Sequence, residues 1–495
     1  MRPCFIRLVT YSILSVLSLA PSKGFGRDKI DESVAARALP GSPSHSDRLF
    51  TTKNDINFDK RNLQNDLLNS KFEMLEKELN QVQSEFRNDV QKEHQVDLAF
   101  SSFASTDPRF DKLLSSWIDR YPSSAVARVA RGYYYAYLGA ISRGTAYTSE
   151  TRPEKLRAME RYFSMATIDF AEAIKRDSGI SVAYGKLMIV ARATGSVKTA
   201  DKLLTAALQS NPGSYFVREK YLSALQPKWG GSMKSIRQFL SSVEAMIADN
   251  PELSALLSYP DYVAADTLMC DKKYQESIVY YTKALDAGLP VDMERGRTYE
   301  YLHQYPEALS DYGAALDRDP QDINSLIRRG FTYTLMKQYN FAMEDFDAAI
   351  QLDPLNPELL VNRAYVLQRF GRDKEAFADL QASLQYDAFN ARTYSDMGKI
   401  DLKNPDNYST AKMHFKRATQ LAPDEAAYWL DYLGVLYKLK DCEIESPVQE
   451  YHMVCRSSTS TSCSSERLKW ADKFLRFAQT NPLYGCKEAP GIQHK

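Results

Sequence analysis

The chain has 495 residues, and its 63 Lys and Arg residues are matched by 63 Asp and Glu residues. A chain of this length exceeds what one hydrophobic core usually organises, so we expect two or more domains or a repeat array. Because no strong single-sign field exists, the composition argues against nucleic acid and against an anionic membrane as partners.

The first 26 residues have the pattern of a signal peptide. Arg2 and Arg7 precede an apolar stretch that starts at Leu8 and ends at Ala20, and small residues follow it. This stretch is too short for a comfortable membrane span. We therefore predict that segment 1–26 is removed, that the mature chain has no stable membrane insertion, and that it is exported to a periplasmic or extracellular location. The alternative is a buried or frayed N-terminal helix.

Segment 27–61 is predicted to be a flexible leader, because it is rich in Gly, Ser, Pro, Asp and Asn and lacks apolar periodicity. Helical periodicity begins near Leu67 and continues to near Leu483. The first packed helix is predicted from an apolar stripe, with a short coiled coil as the alternative. The stripe consists of Phe72, Leu75, Leu79, Val82, Phe86 and Val90.

Residues 62–252 are predicted to form a helical domain with degenerate helical hairpins. Their most distinctive feature is the tetrapeptide Trp229-Gly230-Gly231-Ser232. The two glycines permit a turn, and Ser232 is in position to cap a helix that begins at Met233. The alternative is an anion site on the free N–H groups of that helix, although the length and the lysine of a phosphate loop are missing.

The sequence around this turn, from Leu222 to Phe239, resembles a bacterial helical domain of unknown function that carries a Trp-Gly-Gly-Ser turn. Trp117, Arg131-Gly132 and Arg143-Gly144 resemble the pattern of that domain more loosely. The resemblance implies a helical fold that is often found in exported proteins with tetratricopeptide repeats. It implies no activity.

An internal repeat dominates the rest of the chain, with a period of about 34 positions that is typical of arrays of helical hairpins. Asp319-Pro320 recurs as Asp353-Pro354 and then, at the same spacing, as Asp387-Ala388. Ala422-Pro423 follows one position later than that spacing requires. The best copy is 323–356, and weaker copies in phase with it are 258–288, 289–322, 357–390 and 391–425.

The best copy places small, aromatic and helix-ending residues where two crossing helices need them. Gly330 and Ala342 allow close approach of the backbones, Phe346 fills the space between the helices, and Pro354 ends the second helix. This spacing resembles the tetratricopeptide repeat. It is carried by Gly330, Tyr333, Ala342, Phe346, Ala349 and Pro354.

The resemblance implies an all-α fold: an α-solenoid of tetratricopeptide-like helical hairpins wound into a right-handed superhelix. The array is predicted over 253–488, with a cysteine-containing insertion at 441–467. In this family the first helix of each repeat lines a concave groove that holds a peptide or a helix.

The groove positions of the family can be carried over to three repeats of this chain. A chaperone-type carboxylate clamp needs Asn where Phe331 stands and a basic residue where Asp396 stands, so binding of a chaperone's acidic C-terminus is not expected. The mixed lining suits a peptide backbone held by polar side chains. The predicted groove residues are Asn324, Ile327, Arg328, Phe331, Leu335, Asn362, Tyr365, Arg369, Arg392 and Asp396, with solvated helix surface as the alternative for each.

Four cysteines cluster in the insertion and the tail, and in an exported protein they are predicted to form two structural disulfides. We favour Cys455–Cys463 and Cys442–Cys486 among the three possible pairings. The alternatives are free thiols or a metal site made of Cys442, His452, Cys455 and Cys463, whose spacing lacks the paired short knuckles of structural zinc sites. Cys270 is predicted to be a buried thiol.

No combination of nucleophile, base and oxyanion donors is apparent in the sequence. We therefore predict a non-enzymatic protein without cofactor or metal, an exported scaffold or adaptor that binds a peptide or protein in the concave groove. The alternative is a small-ligand-binding protein or an enzyme with its site in the N-terminal helical domain, near Trp229 and Arg143. A deep pocket there with convergent Arg, Asp and Tyr side chains would favour that alternative.

Overall fold

The computed structural model describes residues 59–143, 153–193, 197–457 and 461–480. Over these ranges the protein is all-α, with α-helices, short 3₁₀ segments and no strand, as the sequence predicts. The helices are α1 (Lys60–Leu68), α2 (Phe72–Asn88), α3 (Glu93–Ser101), α4 (Arg109–Arg120), α5 (Ala125–Arg143), α6 (Pro153–Arg176), α7 (Ser181–Ala193), α8 (Val197–Ser210), α9 (Tyr215–Ala224), α10 (Met233–Glu244), α11 (Tyr259–Cys270), α12 (Tyr274–Asp286), α13 (Asp292–Tyr301), α14 (Tyr305–Arg318), α15 (Ile323–Leu335), α16 (Tyr339–Leu352), α17 (Pro357–Phe370), α18 (Asp373–Tyr386), α19 (Ala391–Asp401), α20 (Tyr408–Leu421), α21 (Ala426–Leu439), α22 (Glu445–Ser457) and α23 (Ser465–Thr480).

The described residues fall into two compact units. The first extends to Leu359 and the second begins at Leu360, so the boundary lies within α17. The predicted boundary between residues 252 and 253 lies inside the first unit, in a 3₁₀ segment that spans Pro251–Ser258. The predicted signal peptide and nearly all of the predicted leader lie outside the described residues.

Consecutive helices pack as hairpins, and the closest packing is that of a small residue against a ring. A Cβ atom added at Gly330 would lie 2.9 Å from the ring of Phe346, so only glycine allows these helices to cross so closely. The predicted roles of Gly330 and Phe346 are therefore confirmed. The same contact recurs in three other hairpins, between Gly132 and Phe170, Gly296 and Tyr312, and Gly398 and Phe415.

An Arg–Asp pair joins the two helices in three of these four hairpins and in the hairpin of α17 and α18. Arg329 precedes Gly330 and donates to both carboxylate oxygens of Asp345, with N–O distances of 3.0 and 2.7 Å. Two parallel bonds to a carboxylate fix the register of one helix against the other. Equivalent pairs join Arg131 to Asp169, Arg295 to Asp311 and Arg363 to Asp379.

The turns between first and second helices also repeat. His303 and Lys337 occupy equivalent places in successive repeats, and both have left-handed backbone with φ values of 58° and 60°. Gly371 occupies the same place in the next repeat, with a φ of 84°. Each reversal therefore depends on one residue in the left-handed region, which glycine adopts most readily.

The start of the first unit packs against the ends of its later repeats. Lys60 Nζ lies 2.7 Å from Asp319 Oδ2 and also donates to the carbonyl of Gln321. Gln64 Nε2 donates to the carbonyls of Ser102, at 2.9 Å, and Leu352, at 3.0 Å. Residues far apart in sequence are thus joined, and the first unit closes on itself.

Asp353 is the most heavily bonded residue of this closing contact. Its Oδ1 accepts hydrogen bonds from Ser105 Oγ at 3.0 Å and from Thr106 N at 3.3 Å. Asn356 Nδ2 donates to its other oxygen at 3.1 Å. The residue is 1% exposed. Burial raises the pKa of Asp353, although these hydrogen bonds oppose the shift.

The predicted insertion of the second unit is largely helical. It contains α22, whose Tyr451 is fully buried in a core that Phe415, Leu436 and Phe474 share. The sulfur atoms of Cys455 and Cys463 lie at bonding distance, with Cα atoms 5.2 Å apart, which is the pairing favoured from the sequence. Oxidation of this pair in the cell stays a prediction.

The other cysteines give a mixed outcome. Cys442 is disulfide-bonded, but Cys486 lies outside the described residues, so their predicted pairing stays a prediction. Cys270 is also disulfide-bonded and only half-buried, so the prediction of a buried thiol is wrong. A helical position between apolar neighbours shows that a cysteine can be buried, but it does not show what approaches it from a distant part of the chain.

A group of three carboxyls lies near the start of α9. Glu93 accepts hydrogen bonds from Ser214 Oγ and, at 2.9 Å, from the backbone N–H of Phe216, so it binds the N-terminus of that helix. Glu252 is 8% exposed and close enough to sense the charge of Glu93. Burial, together with Glu93 and Asp89, raises the pKa of Glu252 to about 7.

This shift predicts that the first unit becomes less stable as the pH rises. Between the unfolded pKa of 4.5 and the folded value of about 7, the folded state binds more protons, so stability is greatest below the window and is lost through it. Glu252→Gln should remove about 1–2 kcal/mol of the pH-dependent loss, after allowance for screening by solvent. The measurement is the free energy of unfolding at about pH 5 and about pH 8. Glu244→Gln, at an exposed position at the end of α10, is the control, and equal pH slopes for the wild type and Glu252→Gln would contradict the prediction.

Candidate functional site

The ten predicted groove residues are divided between the two units. Five lie on α15 in the first unit, and five lie on α17 and α19 in the second unit. Each group is described within its own unit.

The α15 group is only partly accessible. Asn324 is exposed and Leu335 is 47% exposed, whereas Ile327 is half-buried and packs in the core. Arg328 and Phe331 are both 3% exposed. Since the ring of Phe331 meets that of Phe346 edge-on at 5.2 Å, its main contact is within the hairpin.

Arg328 joins two neighbouring first helices. Its Nη1 lies 3.2 Å from Glu300 Oε2, and Glu300 belongs to α13. Thr332 donates to the other oxygen of the same carboxylate at 2.6 Å. This polar link is buried, so on α15 a partner has direct access to Asn324 and Leu335.

In the second unit, the predicted groove residues of α17 and α19 form a row of polar contacts. Asn362, 5% exposed, accepts a hydrogen bond from Arg392 Nη1 at 3.2 Å. Arg369 is exposed, and its guanidinium lies 5.9 Å from the ring centre of half-buried Tyr365. The row therefore begins with an amide and an aromatic ring on α17 and continues with a cation on α19.

Asp396 and Lys399 extend this row toward α21. Lys399 Nζ lies 3.0 Å from Asp396 Oδ1 and 3.7 Å from Asp431 Oδ2. Asp431 also accepts from Ser395 Oγ at 3.2 Å. Burial alone would lower the pKa of Lys399, but Asp396 and Asp431 outweigh it and raise the pKa. Lys399 is therefore charged at neutral pH, and 39% of its side chain is exposed.

The first unit contains a second polar row that the groove prediction missed. Lys186 of α7 lies 3.0 Å from Asp97 Oδ1 of α3 and 4.3 Å from the ring centre of Tyr133 on α5. Lys220 of α9 pairs with Glu219. Helix α7 contacts both α5 and α9, so these side chains lie on neighbouring helices.

Burial and neighbouring charges compete in this row. Asp97 is 29% exposed and Lys220 is 23% exposed, yet burial is the largest influence on the pKa of each. Lys186 and Lys220 outweigh burial at Asp97 and lower its pKa, while Glu219 and Asp97 raise the pKa of Lys220. Both residues are therefore charged, in contact with water and closely surrounded by protein.

The Trp-Gly-Gly-Ser turn lies beside this row. Gly230 has a φ of 91°, and Ser232 Oγ accepts from Ser235 N at 3.0 Å at the start of α10. The predicted turn and helix cap are thus confirmed. The guanidinium of Arg192 lies 5.0 Å from the ring centre of Trp229. The side chain of Arg143, predicted to share this neighbourhood, lies outside the described residues.

The row continues along α11 and α13. Lys228 Nζ lies 2.8 Å from Asp266 Oδ2, and Arg297 Nη2 lies 3.3 Å from the sulfur of Met269. Charges of both signs alternate, so no strong net field develops. We call this set the inner polar face: Asp97, Lys186, Arg192, Glu219, Lys220, Lys228, Asp266, Glu294, Arg297, Glu300 and Arg328.

The part of the chain that the structure describes contains no group of three or more His, Cys, Asp or Glu side chains placed to hold a metal ion. The metal alternative for Cys442, His452, Cys455 and Cys463 therefore gains no support from the structure. Separately, none of the described helices combines the length and apolar character needed to cross a membrane.

Neither a family model nor a curated protein matches the chain. Among solved structures, a tetratricopeptide repeat protein from Parabacteroides merdae is 15% identical over 61% of this chain and 99% of its own, with a TM-score of 0.37. PilF of Pseudomonas aeruginosa is 19% identical over 39% of this chain and 91% of its own, with a TM-score of 0.31. YrrB, described as a tetratricopeptide protein with an unusual peptide-binding site, is 19% identical over 38% of this chain and 95% of its own, with a TM-score of 0.30. TM-scores this low support no argument about this chain, whose tetratricopeptide-like hairpins rest on the contacts described above.

Proposed function

We propose that the chain is an exported scaffold or adaptor that binds a peptide or protein partner along the inner surfaces of its first helices. The supporting observation is that polar side chains link successive first helices in each unit while charged groups between them stay in contact with water. In the first unit Glu300 and Arg328 form such a link, and Asp97 and Lys220 are the groups that stay partly exposed. In the second unit Lys399 links Asp396 to Asp431 and is itself partly exposed.

Such a surface suits a polypeptide for physical reasons. A peptide backbone presents donors and acceptors in turn, and rows of amide, carboxylate and basic groups can satisfy both. The helices that carry them are fixed by bidentate Arg–Asp pairs, so little conformational entropy is lost on binding. Balanced charge on the inner polar face disfavours nucleic acid, which requires a net positive surface.

A variant of exposed groove residues tests the proposal. Asn324→Ala/Leu335→Ala/Arg369→Ala removes accessible side chains without touching the core, unlike a change at buried Phe331. We expect a peptide selected from a random library on the wild type to bind this variant at least about tenfold more weakly, because truncating three contact residues costs about 1.4 kcal/mol or more in total. The readout is Kd by calorimetry.

The matched control changes exposed residues of similar type on second helices: Asn340→Ala/Met413→Ala/Lys416→Ala. It should bind with the wild-type Kd. Equal binding by all three proteins would refute the groove assignment, and failure to select any peptide would refute the proposed function.

Export is the other part of the proposal. It is supported by the charged, apolar and small-residue pattern of segment 1–26 and by the proximity of Cys455 and Cys463, since disulfides persist in oxidising compartments. Recovery of the chain from its host with segment 1–26 intact and with reduced cysteines would contradict it.

A small-molecule ligand is the second candidate, because Arg192 lies beside Trp229 and the charges of Arg192 and Asp266 both reach Tyr259. Both charges act on the pKa of Tyr259, although burial is the largest cause of its rise. A metabolite that binds the wild type in the absence of any selectable peptide would favour this candidate.

A further inference from the structure

The inner polar face contains a buried carboxylate oxygen with no donor. Asp266 of α11 is 5% exposed. Its Oδ2 accepts from Lys228 Nζ at 2.8 Å, but its Oδ1 is fully buried and has no hydrogen-bond partner within the described residues. A buried carboxylate oxygen without a donor is costly, so this atom is a candidate to accept a hydrogen bond from a ligand N–H or from water.

A buried donor without an acceptor lies beside Trp229. Arg192 of α7 donates through Nη1 to Ser223 Oγ at 3.0 Å, and its guanidinium lies 5.0 Å from the ring centre of Trp229. Its Nε is buried and finds no acceptor among the residues that the structure describes. Trp229 thus contacts Arg192, and its neighbour in sequence, Lys228, bonds Asp266.

Tyr259 confirms that these groups share one neighbourhood. It is 2% exposed, and its hydroxyl accepts from Gln226 Nε2 at 2.6 Å. Burial raises the pKa of Tyr259, Asp266 adds to the rise, and Arg192 opposes it. Both charges therefore act on the Tyr259 hydroxyl.

The local charge limits the chemistry of a ligand. Asp266 pairs with Lys228 and Glu219 pairs with Lys220, so a charged ligand group would have to compete with an existing ion pair in a desolvated place. A neutral group that both accepts and donates can hydrogen-bond to Arg192 Nε and to Asp266 Oδ1 without adding a charge. The amide has this property, because its carbonyl accepts and its N–H donates.

We propose that Arg192 and Asp266 clamp a backbone amide of a bound peptide beside Trp229. The Nε–H of Arg192 donates to a peptide carbonyl, and Asp266 Oδ1 accepts from a peptide N–H. The flat ring of Trp229 provides an apolar surface for the adjoining side chain. This inference rests on the proposed function and assigns the Trp-Gly-Gly-Ser turn a place in the binding surface as well as in the fold.

The test uses a peptide selected on the full wild-type chain and measures its Kd by calorimetry. Asp266→Asn should weaken binding about tenfold, because the hydrogen bond to a charged acceptor is lost. Asp261→Asn, on the same helix, should leave Kd within about twofold of the wild type. Arg192→Lys keeps the charge but removes the Nε–H, and should also weaken binding about tenfold.

A set of peptide esters then identifies the bond itself. Each ester replaces one backbone N–H of the selected peptide with oxygen. One ester should bind the wild type about tenfold more weakly than the parent peptide, and Asp266→Asn should no longer distinguish that ester from the parent. Such coupling is expected of a direct hydrogen bond and not of a structural role of Asp266.

The outcomes separate this inference from the proposed function. Wild-type Kd values for both Asp266→Asn and Arg192→Lys would overturn the clamp and leave peptide binding intact, with water then satisfying the two atoms. If Asp266→Asn fails to fold in a thermal melt, Arg192→Lys and the esters on the wild type decide the question. If no peptide binds the wild type, both proposals fall.

Discussion

Gly231→Ala should destabilise the first unit by about 4 kcal/mol, far more than one added methyl group usually costs. A Cβ atom at Gly231 would lie 2.0 Å from the carbonyl oxygen of Leu225 and 2.3 Å from its carbonyl carbon. These are backbone atoms, and Leu225 is 4% exposed in the core, so no side-chain rotation relieves the clash. The turn must open, and α10 must then move away from its contacts.

Gly230→Ala is the matched control for this prediction. Gly230 has the strained φ of 91°, but nothing lies within 4 Å of its added Cβ. The loss of stability caused by Gly230→Ala is therefore limited to the penalty for alanine in left-handed backbone, about 1 kcal/mol. Free energies of unfolding from denaturant titrations of both variants provide the comparison. Equal costs at the two positions would show that the close approach to Leu225 is relieved in solution.

The repeat array was predictable because its signals are local and periodic. Asp319, Asp353 and Asp387 recur at one fixed spacing, and Gly330 with Phe346 specifies how two adjacent helices cross. The contacts within a hairpin join residues that are close in sequence, so one repeat contains all the information that its own hairpin needs.

The N-terminal half contains the same type of hairpin, but its helices are longer. Arg131-Gly132 and Asp169-Phe170 make the Arg–Asp and glycine–ring contacts of the later repeats, but 38 residues separate Arg131 from Asp169, compared with 16 for Arg329 and Asp345. A search by fixed period misses this hairpin. Its signal is the residue order itself: Arg before Gly in the first helix, and Asp before an aromatic ring in the second.

The groove was harder to predict, because accessibility depends on what neighbouring repeats contribute. Position in the repeat places Arg328 and Phe331 on the first helix, but Glu300 and Phe346 bury them. The closing contact of the first unit was not predictable for the same reason. Nothing in the local sequence of Lys60 indicates that its partner is Asp319, 259 residues away.

Asp353→Ala should destabilise the first unit by about 3 kcal/mol, because it removes a buried acceptor and leaves the donors of Ser105, Thr106 and Asn356 unsatisfied. Asp387 stands at the same place in the next repeat, in the second unit. It accepts a hydrogen bond from Phe389 N within its own exposed loop, so Asp387→Ala should cost less than about 1 kcal/mol in that unit.

The comparison separates the closing contact from the general role of this aspartate in ending a second helix. Denaturant unfolding gives the cost, and hydrogen exchange in α1 and α4 shows where protection is lost. Faster exchange in these helices for Asp353→Ala alone would establish that the N-terminal helices depend on the repeat ends for stability. Equal effects of the two substitutions would instead assign the aspartate to its own hairpin and remove the argument that the first unit is stabilised by closing on itself.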